Sequence, residues 1–410
     1  MRGAGDHLSV GERIAYYRAR RGMTQAVLAS LVNRSVDWVS KVERGDRQVR
    51  RLDVVVEVAR ALRVTPGDLL GQPVLVEDHD RQDDDVPAIR DALMTPRRLS
   101  RVLFDDESHN RPPSLRHTVQ AVEVAWTDFQ RGRLGQVITA LPSLIRAAQA
   151  LERDLDEQPT AGWAASARVH HLAATTLSKI GESDLAWIAA ERAMGAADQA
   201  DDPLVLASAA RAGAHALLSI GRYEDALELG RAARAWLAPR VAENDAEALS
   251  LLGMLDLRMA TAASRHQDRS TTSELLQNAH QAAQQLGRDA NHWQTSFGPT
   301  NVMLHRISTA LDLGDVAFVV EHGPRIQPTS ASIERQVGHS IDVARALSYV
   351  AEDDAAIEIL LTAERQAPHL VRHSAAVRET VKAIHRRSPV TTGRSSSPVL
   401  GLAERCRAIQ

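Results

Sequence analysis

The chain has 410 residues, with 49 Lys or Arg against 52 Asp or Glu, 44% hydrophobic residues and a single cysteine. This length and apolar content are enough for two or more buried cores, while one cysteine excludes an intrachain disulfide framework and a cysteine-built zinc site and fits a reducing compartment. The charge is unevenly spread: residues 1–71 hold 13 basic and 8 acidic side chains, so a basic module is followed by an acidic body, as expected if only the first part meets phosphate.

The opening segment M-R-G-A-G-D-H-L-S-V has no apolar run of the kind that directs secretion, and charge interrupts every later apolar run before membrane-spanning length. A cytoplasmic protein without membrane contact is expected. Ser9 and Glu12 form a capping-box pattern that opens a helix through Arg21 with Val10, Ile14 and Tyr17 inward, ended by Gly22. Thr24 is placed to cap a second helix carrying Leu28 and Leu31, and Ser35 a third carrying Val36, Val39 and Val42. Only Val32-Asn33-Arg34 separates them, and Asn33 suits a tight turn because asparagine tolerates the left-handed backbone region. Leu52, Val55, Val56, Ala59 and Leu62 keep helical spacing, and Thr65-Pro66 opens a last short helix with Leu69 and Leu70.

The pattern T-Q-x-x-L-A-x-x-V-x-x-S-x-x-x-V-S-x-x-E-R-G over Thr24–Gly45 resembles the phage-repressor-like (XRE) helix-turn-helix family, with Asn33 where that family usually has glycine. The resemblance implies a five-helix domain over residues 9–71 that binds double-stranded DNA. It places Gln25 on a phosphate at the start of the first motif helix, and Ser35, Val36, Asp37, Ser40 and Lys41 on the groove-facing side of the second. Lys41 can reach guanine O6 or N7, Asp37 can accept from cytosine N4, and Val36 can touch a thymine methyl. Arg44 and Arg47, with Arg50 or Arg51, are expected on the backbone. Trp38 lies against a sugar-phosphate or covers the motif core, with the core favoured. The resemblance also pairs Glu43 internally with Arg18, giving the carboxylate a structural role.

From residue 72 to 113 the composition turns acidic, which predicts a solvated linker, with enough apolar spacing in Val86–Phe104 for one or two short helices. Residues 114–387 read as almost continuous helix with a repeat. Gly181 and Gly221 lie forty residues apart, each followed by small residues at matching offsets (Ala186 and Ala193, Ala226 and Ala233), and Ala356 and Ala363 recur ahead of Pro368. Small residues let stacked hairpins approach, and six or so helix pairs are expected. Residues 388–410 read as a flexible tail, with Cys406 an inert thiol near a frayed end. Lysine occurs only at 41, 179 and 382 against abundant Arg and Ala, the usage of a GC-rich bacterial genome.

This repeat resembles the tetratricopeptide repeat (TPR), most clearly in G-R-Y-E-D-A at Gly221–Ala226. In such arrays the first helix of each pair lines a concave groove. Registering on Gly181, Gly221 and Gly314 places Arg168, His171, Arg211, His215 and Asn301 there, with Arg345 from the Ala356 register and His305 closing the unusual stretch His292–His305. Asn301 is expected to clamp a peptide backbone, while the five tryptophans beyond residue 114 are expected in the core. Peptide-sensing regulators that join an XRE reader to TPR repeats share this architecture. No phosphate-cradling glycine loop, H-E-x-x-H or G-x-S-x-G motif occurs, so no catalysis, cofactor or metal is expected. The expected protein is all-α: a homodimeric DNA-binding transcriptional regulator whose repeat domain dimerises and senses a peptide, small molecule or protein. The rival is a TPR interaction scaffold that sequesters partners or serves phage defence, with DNA binding secondary.

Overall fold

The computed structural model describes residues 9–20, 23–47, 49, 52–62, 69, 86–96, 114–153, 159–387, 398–406 and 408. These residues are all-helical, apart from one isolated β-bridge between Ala290 and Phe297. The chain divides into two compact units, Met1–Asp106 and Glu107–Gln410.

In the first unit the helices are α1 (Val10–Arg20), α2 (Gln25–Leu31), α3 (Val36–Glu43), α4 (Leu52–Ala61) and α5 (Val86–Leu93), the last falling within the stretch expected to hold short helices. The caps form as the residue types dictate. Ser9 and Glu12 exchange the reciprocal capping-box bonds, Thr24 Oγ1 accepts from the Val27 amide at 3.2 Å, and Ser35 Oγ accepts from Trp38 at 3.1 Å. Asn33 adopts φ 46°, completing the turn between α2 and α3. Ile14, Leu28, Val32, Val39, Val42, Val58 and Leu62 form the shared core. Leu31 departs from expectation: it is exposed and Val32 is buried in its place, because α2 ends at Leu31 and the chain reversal turns Val32 inward. Gly11 sits at the crossing of α1 and α3, where a Cβ would lie 1.9 Å from the Val42 carbonyl oxygen. The expected fifth helix falls largely outside the described residues.

The second unit is built from six helix pairs: α6 (Leu115–Gln130) with α7 (Leu134–Leu151), α8 (Pro159–Ile180) with α9 (Ser183–Ala200), α10 (Pro203–Ser219) with α11 (Tyr223–Ala242), α12 (Ala246–Arg265) with α13 (Arg269–Leu286), α14 (Pro299–Asp312) with α15 (Val316–His322), and α16 (Ile333–Tyr349) with α17 (Asp353–Gln366). One turn is used in all six. Gly132, Gly181, Gly221, Gln267, Gly314 and Ala351 each take positive φ, and the next residue's amide donates to the carbonyl five positions back, as in Glu182 to Leu177 and Asp315 to Ala310, both 2.9 Å. The first helices of successive pairs pack on one another, and α16 returns to touch α6. The row therefore closes on itself: Gly132 in the first hairpin lies so close to Ile333 and Ala367 of the last that a Cβ there would meet Ala367 Cβ at 2.6 Å.

Three expectations are corrected here. Trp126 is buried, but Trp187 and Trp236 are 40% and 56% exposed, standing on second helices that face outward. Part of the supposed tail is ordered: after α18 (Pro368–Arg372) and α19 (Ala375–Arg387), helix α20 (Pro398–Arg405) buries Leu402, Ala403 and Cys406 and is held by a two-pronged Arg405–Glu364 pair at 2.7 and 2.6 Å. Cys406 is thus packed rather than frayed, and burial pushes its thiol up to about 11. Residues 388–397 lie outside the described set. The concave face is also not an open groove, because the segment His292–Phe297 fills part of it. That segment bends through positive φ at Trp293, Gln294 and Ser296 and seats Phe297, fully buried, against Gly253.

Candidate nucleic-acid interface and inner chamber

Helix α3 presents one edge to solvent. Ser35, Val36, Asp37 and Lys41 are exposed and Ser40 is half-buried, while Val39 and Val42 on the opposite side enter the core. Lys41 Nζ lies 2.8 Å from Asp37 Oδ2, one helical turn away. Such an exposed pair contributes little and exchanges readily for another anion. Arg44 leans on Asp46 at 3.2 Å, and Arg47 is exposed just past Gly45. Trp38 is half-buried against the core and lies under the guanidinium of Arg34 at 5.9 Å. Arg50 and Arg51 lie outside the described residues.

Behind this edge Glu43 is turned inward. Arg18 Nε donates to Oε1 at 2.5 Å and Nη2 to Oε2 at 2.8 Å, while Nη1 reaches the Met23 carbonyl at 2.7 Å. Donating to Glu43 raises the Arg18 pKa further, against the opposing effect of burial. Gln25, expected on a phosphate, directs its side-chain amide to Glu43 Oε2 at 2.8 Å. An amide carries two N–H donors, so one is spent on Glu43 and one is left for an outside acceptor. The Glu43 carboxylate behind the presented edge is therefore neutralised within the fold.

The second unit gathers charge around a small internal chamber. Three of the expected groove residues meet there, His171, Arg211 and His215, together with Lys179, Arg258, Glu334 and Arg335, which the sequence reading passed over. Arg258 lies on α12, in a pair whose repeat was too degenerate to register. Arg211 is buried; it donates to the Trp293 carbonyl at 3.2 Å and approaches His171 Nε2 at 3.4 Å, while His171 Nδ1 meets Ser208 Oγ at 3.0 Å. Burial, then the neighbouring arginines, hold His171 and His215 well below the ordinary histidine range. Burial would raise Glu334, yet Lys179 and Arg335 outweigh it and bring the carboxyl down to about 2.

The other expected groove residues are spent elsewhere. Arg168 donates to Glu123 and, at 2.9 Å, to Gln294, and lies over the Trp293 ring at 5.0 Å. Asn301 is fully buried and does clamp backbone, but that of its own chain, donating to the Ser296 and Thr295 carbonyls at 3.0 and 3.3 Å. His305 is buried with Nδ1 3.0 Å from the Asn301 carbonyl, and Arg345 pairs with Asp342 at 3.2 Å away from the chamber.

Comparison with known families decides one region. The family profile described as "Helix-turn-helix domain" matches residues 9–71. Residues 9–71 form a helix-turn-helix domain. No curated protein and no solved structure matches the chain. The helix-turn-helix domain contains the capped α2–α3 pair and the Arg18–Glu43 bridge beneath it. Among the described residues no cluster of metal-ligating side chains occurs, and no helix is long and apolar enough to cross a membrane.

Proposed function

We propose that this protein is a sequence-specific DNA-binding transcriptional regulator with an XRE-type reader and a TPR-like sensing and dimerisation domain. The observation that carries the reading is the polarity of α3: Ser35, Val36, Asp37 and Lys41 are exposed to solvent, with Lys41 and Asp37 paired only to each other, while the nearby Glu43 carboxylate is turned inward onto Arg18. A major-groove helix needs that arrangement, since an uncompensated carboxylate beside phosphate is repelled. Gln25 and Arg47 supply backbone contacts that fix register. Six hairpins with one shared turn, whose first helices line the inner face, support the TPR-like reading.

One reader of this size covers a half-site, so two copies act together. They pair through outer faces of the second unit, where Trp187 and Trp236 are exposed. The test is a titration of labelled promoter DNA against ionic strength. A defined site with steep salt dependence is expected, and Lys41→Ala should cost about 1–3 kcal/mol there with a much smaller loss on random DNA. Weak, sequence-blind binding would overturn the reading, and a monomer by sedimentation on operator DNA would overturn the pairing.

A further inference from the structure

The chamber beneath the His292–Phe297 segment holds more positive than negative charge. Lys179, Arg211, Arg258 and Arg335 line it, and Glu334 is the single carboxylate among its walls. Glu334 is already committed, at 2.5 Å to Lys179 and 3.4 Å to Arg335. Nothing comparable serves Arg258, whose Nε is buried without a hydrogen-bond partner, as is His215 Nδ1. Burial and the other arginines lower Arg211 and Arg258 to about 9, which leaves both as cations at neutral pH. A withdrawn guanidinium whose Nε has no acceptor, and which shares the one carboxylate Glu334 with Lys179 and Arg335, is unfavourable, and the usual remedy is an anion from outside.

The chamber has a larger neighbour. Next to it lies a cavity of about 370 Å³, lined by polar groups such as Thr127, Asn291 and Ser330 together with the charged Arg131 and Asp289, and the two share Gln130, Ser296 and Ser332 as common walls. The outer cavity is in the size range of small-molecule sites. The chamber itself has a free volume of about 20 Å³, which leaves room only for a small head group. A planar carboxylate head fits this narrow space better than a tetrahedral phosphate or sulfate, and it matches the fork of a guanidinium.

We propose that the chamber bounded by Lys179, Arg211, His215, Arg258, Glu334 and Arg335 binds the carboxylate of a small molecule whose polar body occupies the adjoining cavity. This rests on the sensing role proposed above and gives it a ligand class. Gln294 and Ser296 of the inserted segment, with Asn291 just before it, form part of the walls, so occupancy bears directly on the strained backbone there.

The test uses the full chain without DNA, so that its outcome is separate from that of the operator titration. Melting temperature is measured in acetate and in chloride at matched pH and ionic strength, about 100 mM, and acetate should raise it by about 2–4 °C, with lactate exceeding acetate. Arg258→Met should abolish the difference without lowering the melting temperature in chloride, because it removes a buried cation whose Nε has no acceptor. Arg345→Met, outside the chamber, should keep the difference. Should Arg258→Met fail to fold, Glu334→Gln decides: freeing Lys179 and Arg335 from the internal carboxylate should enlarge the acetate response. Equal melting in acetate and chloride, an undiminished response in a folded Arg258→Met, an unchanged response in Glu334→Gln, or equal stabilisation by sulfate and phosphate would each overturn the proposal.

Discussion

Arg18 in the first unit and Arg258 in the second are both guanidinium groups largely withdrawn from water, and their surroundings are opposite in kind. Arg18 has its whole fork satisfied, by both oxygens of Glu43 and the Met23 carbonyl. Arg258 has an orphaned Nε and three further cations around it. A compensated buried pair fixes geometry: here it ties α1 and α3 together, with Gln25 of α2 on the same carboxylate. An uncompensated one leaves free energy to be recovered by whatever supplies the missing charge. The contrast separates a charge kept for structure from a charge kept for a ligand.

The largest expected effect comes from breaking the compensated pair. Glu43→Ala leaves the half-buried Arg18 without a counter-charge and should cost the first unit about 2–4 kcal/mol, read as a lowered first transition in calorimetry of the full chain, with DNA binding weakened in step. Unchanged stability with tighter DNA binding would show that Glu43 only repels phosphate. Next is a steric probe of the second unit. Gly253→Ala places a Cβ 1.9 Å from Phe297 Cζ and should cost about 1–3 kcal/mol while loosening the inserted segment, detectable as faster amide exchange at residues 293–297.

A third prediction uses pH to separate two buried groups of the second unit. Burial holds Asp256 up at about 7 despite Arg234 at 2.6 Å, whereas the unfolded chain releases that proton near 3.8. The folded state therefore binds the extra proton between these values, and stability from this group is present at low pH and lost as pH climbs through 7. His305 has the reverse sign: burial, then Arg335 and Arg258, lower it to about 3 from 6.5, so its contribution is intact above 6.5 and lost as pH falls toward 3. Asp256→Asn should accordingly gain on the wild type between pH 5 and pH 8, by on the order of 1–2 kcal/mol in urea melts. A pH-independent difference would mean that Arg234 keeps Asp256 ionised throughout. The smallest effect is at a cap: Ser35→Ala removes the bond to the Trp38 amide and should cost about 1 kcal/mol, with operator affinity falling more than random-DNA affinity.

Sequence and structure agree at the helix caps and the tight turn, where the signal is local. The caps at Ser9, Thr24 and Ser35 and the turn at Asn33 need only neighbouring residues, and all of them form. Glycine at 181, 221 and 314 exposed the repeat because that turn prefers residues without a Cβ. The same turn at Gln267 and Ala351 was hidden, since other residues adopt it when packing on both sides compensates the strain. Part of the chamber was legible as register, giving His171, Arg211 and His215. Arg258, Lys179 and Glu334 were not, because their meeting depends on where distant pairs stack. Asn301 was recognised as a backbone clamp, yet nothing local indicates that the backbone it holds is six residues away in its own chain. Helix α20 was obscured by the Ser, Thr and Pro residues before it, which dominate a compositional reading of the tail.

The seam where Gly132 meets Ala367 and Ile333 has a consequence for folding. A row of hairpins with free ends can nucleate anywhere and fray inward from either terminus, because each unit needs only its neighbours. Here the first and last hairpins are also neighbours, across more than two hundred residues of chain. That contact raises the mean sequence separation of the native contacts and with it the loop-closure entropy that must be overcome before the structure is complete. The second unit should then fold more slowly than an open row of equal length and melt as one cooperative block. Gly132→Val, which wedges the seam apart, should convert that single transition into a broader one that begins at the two ends.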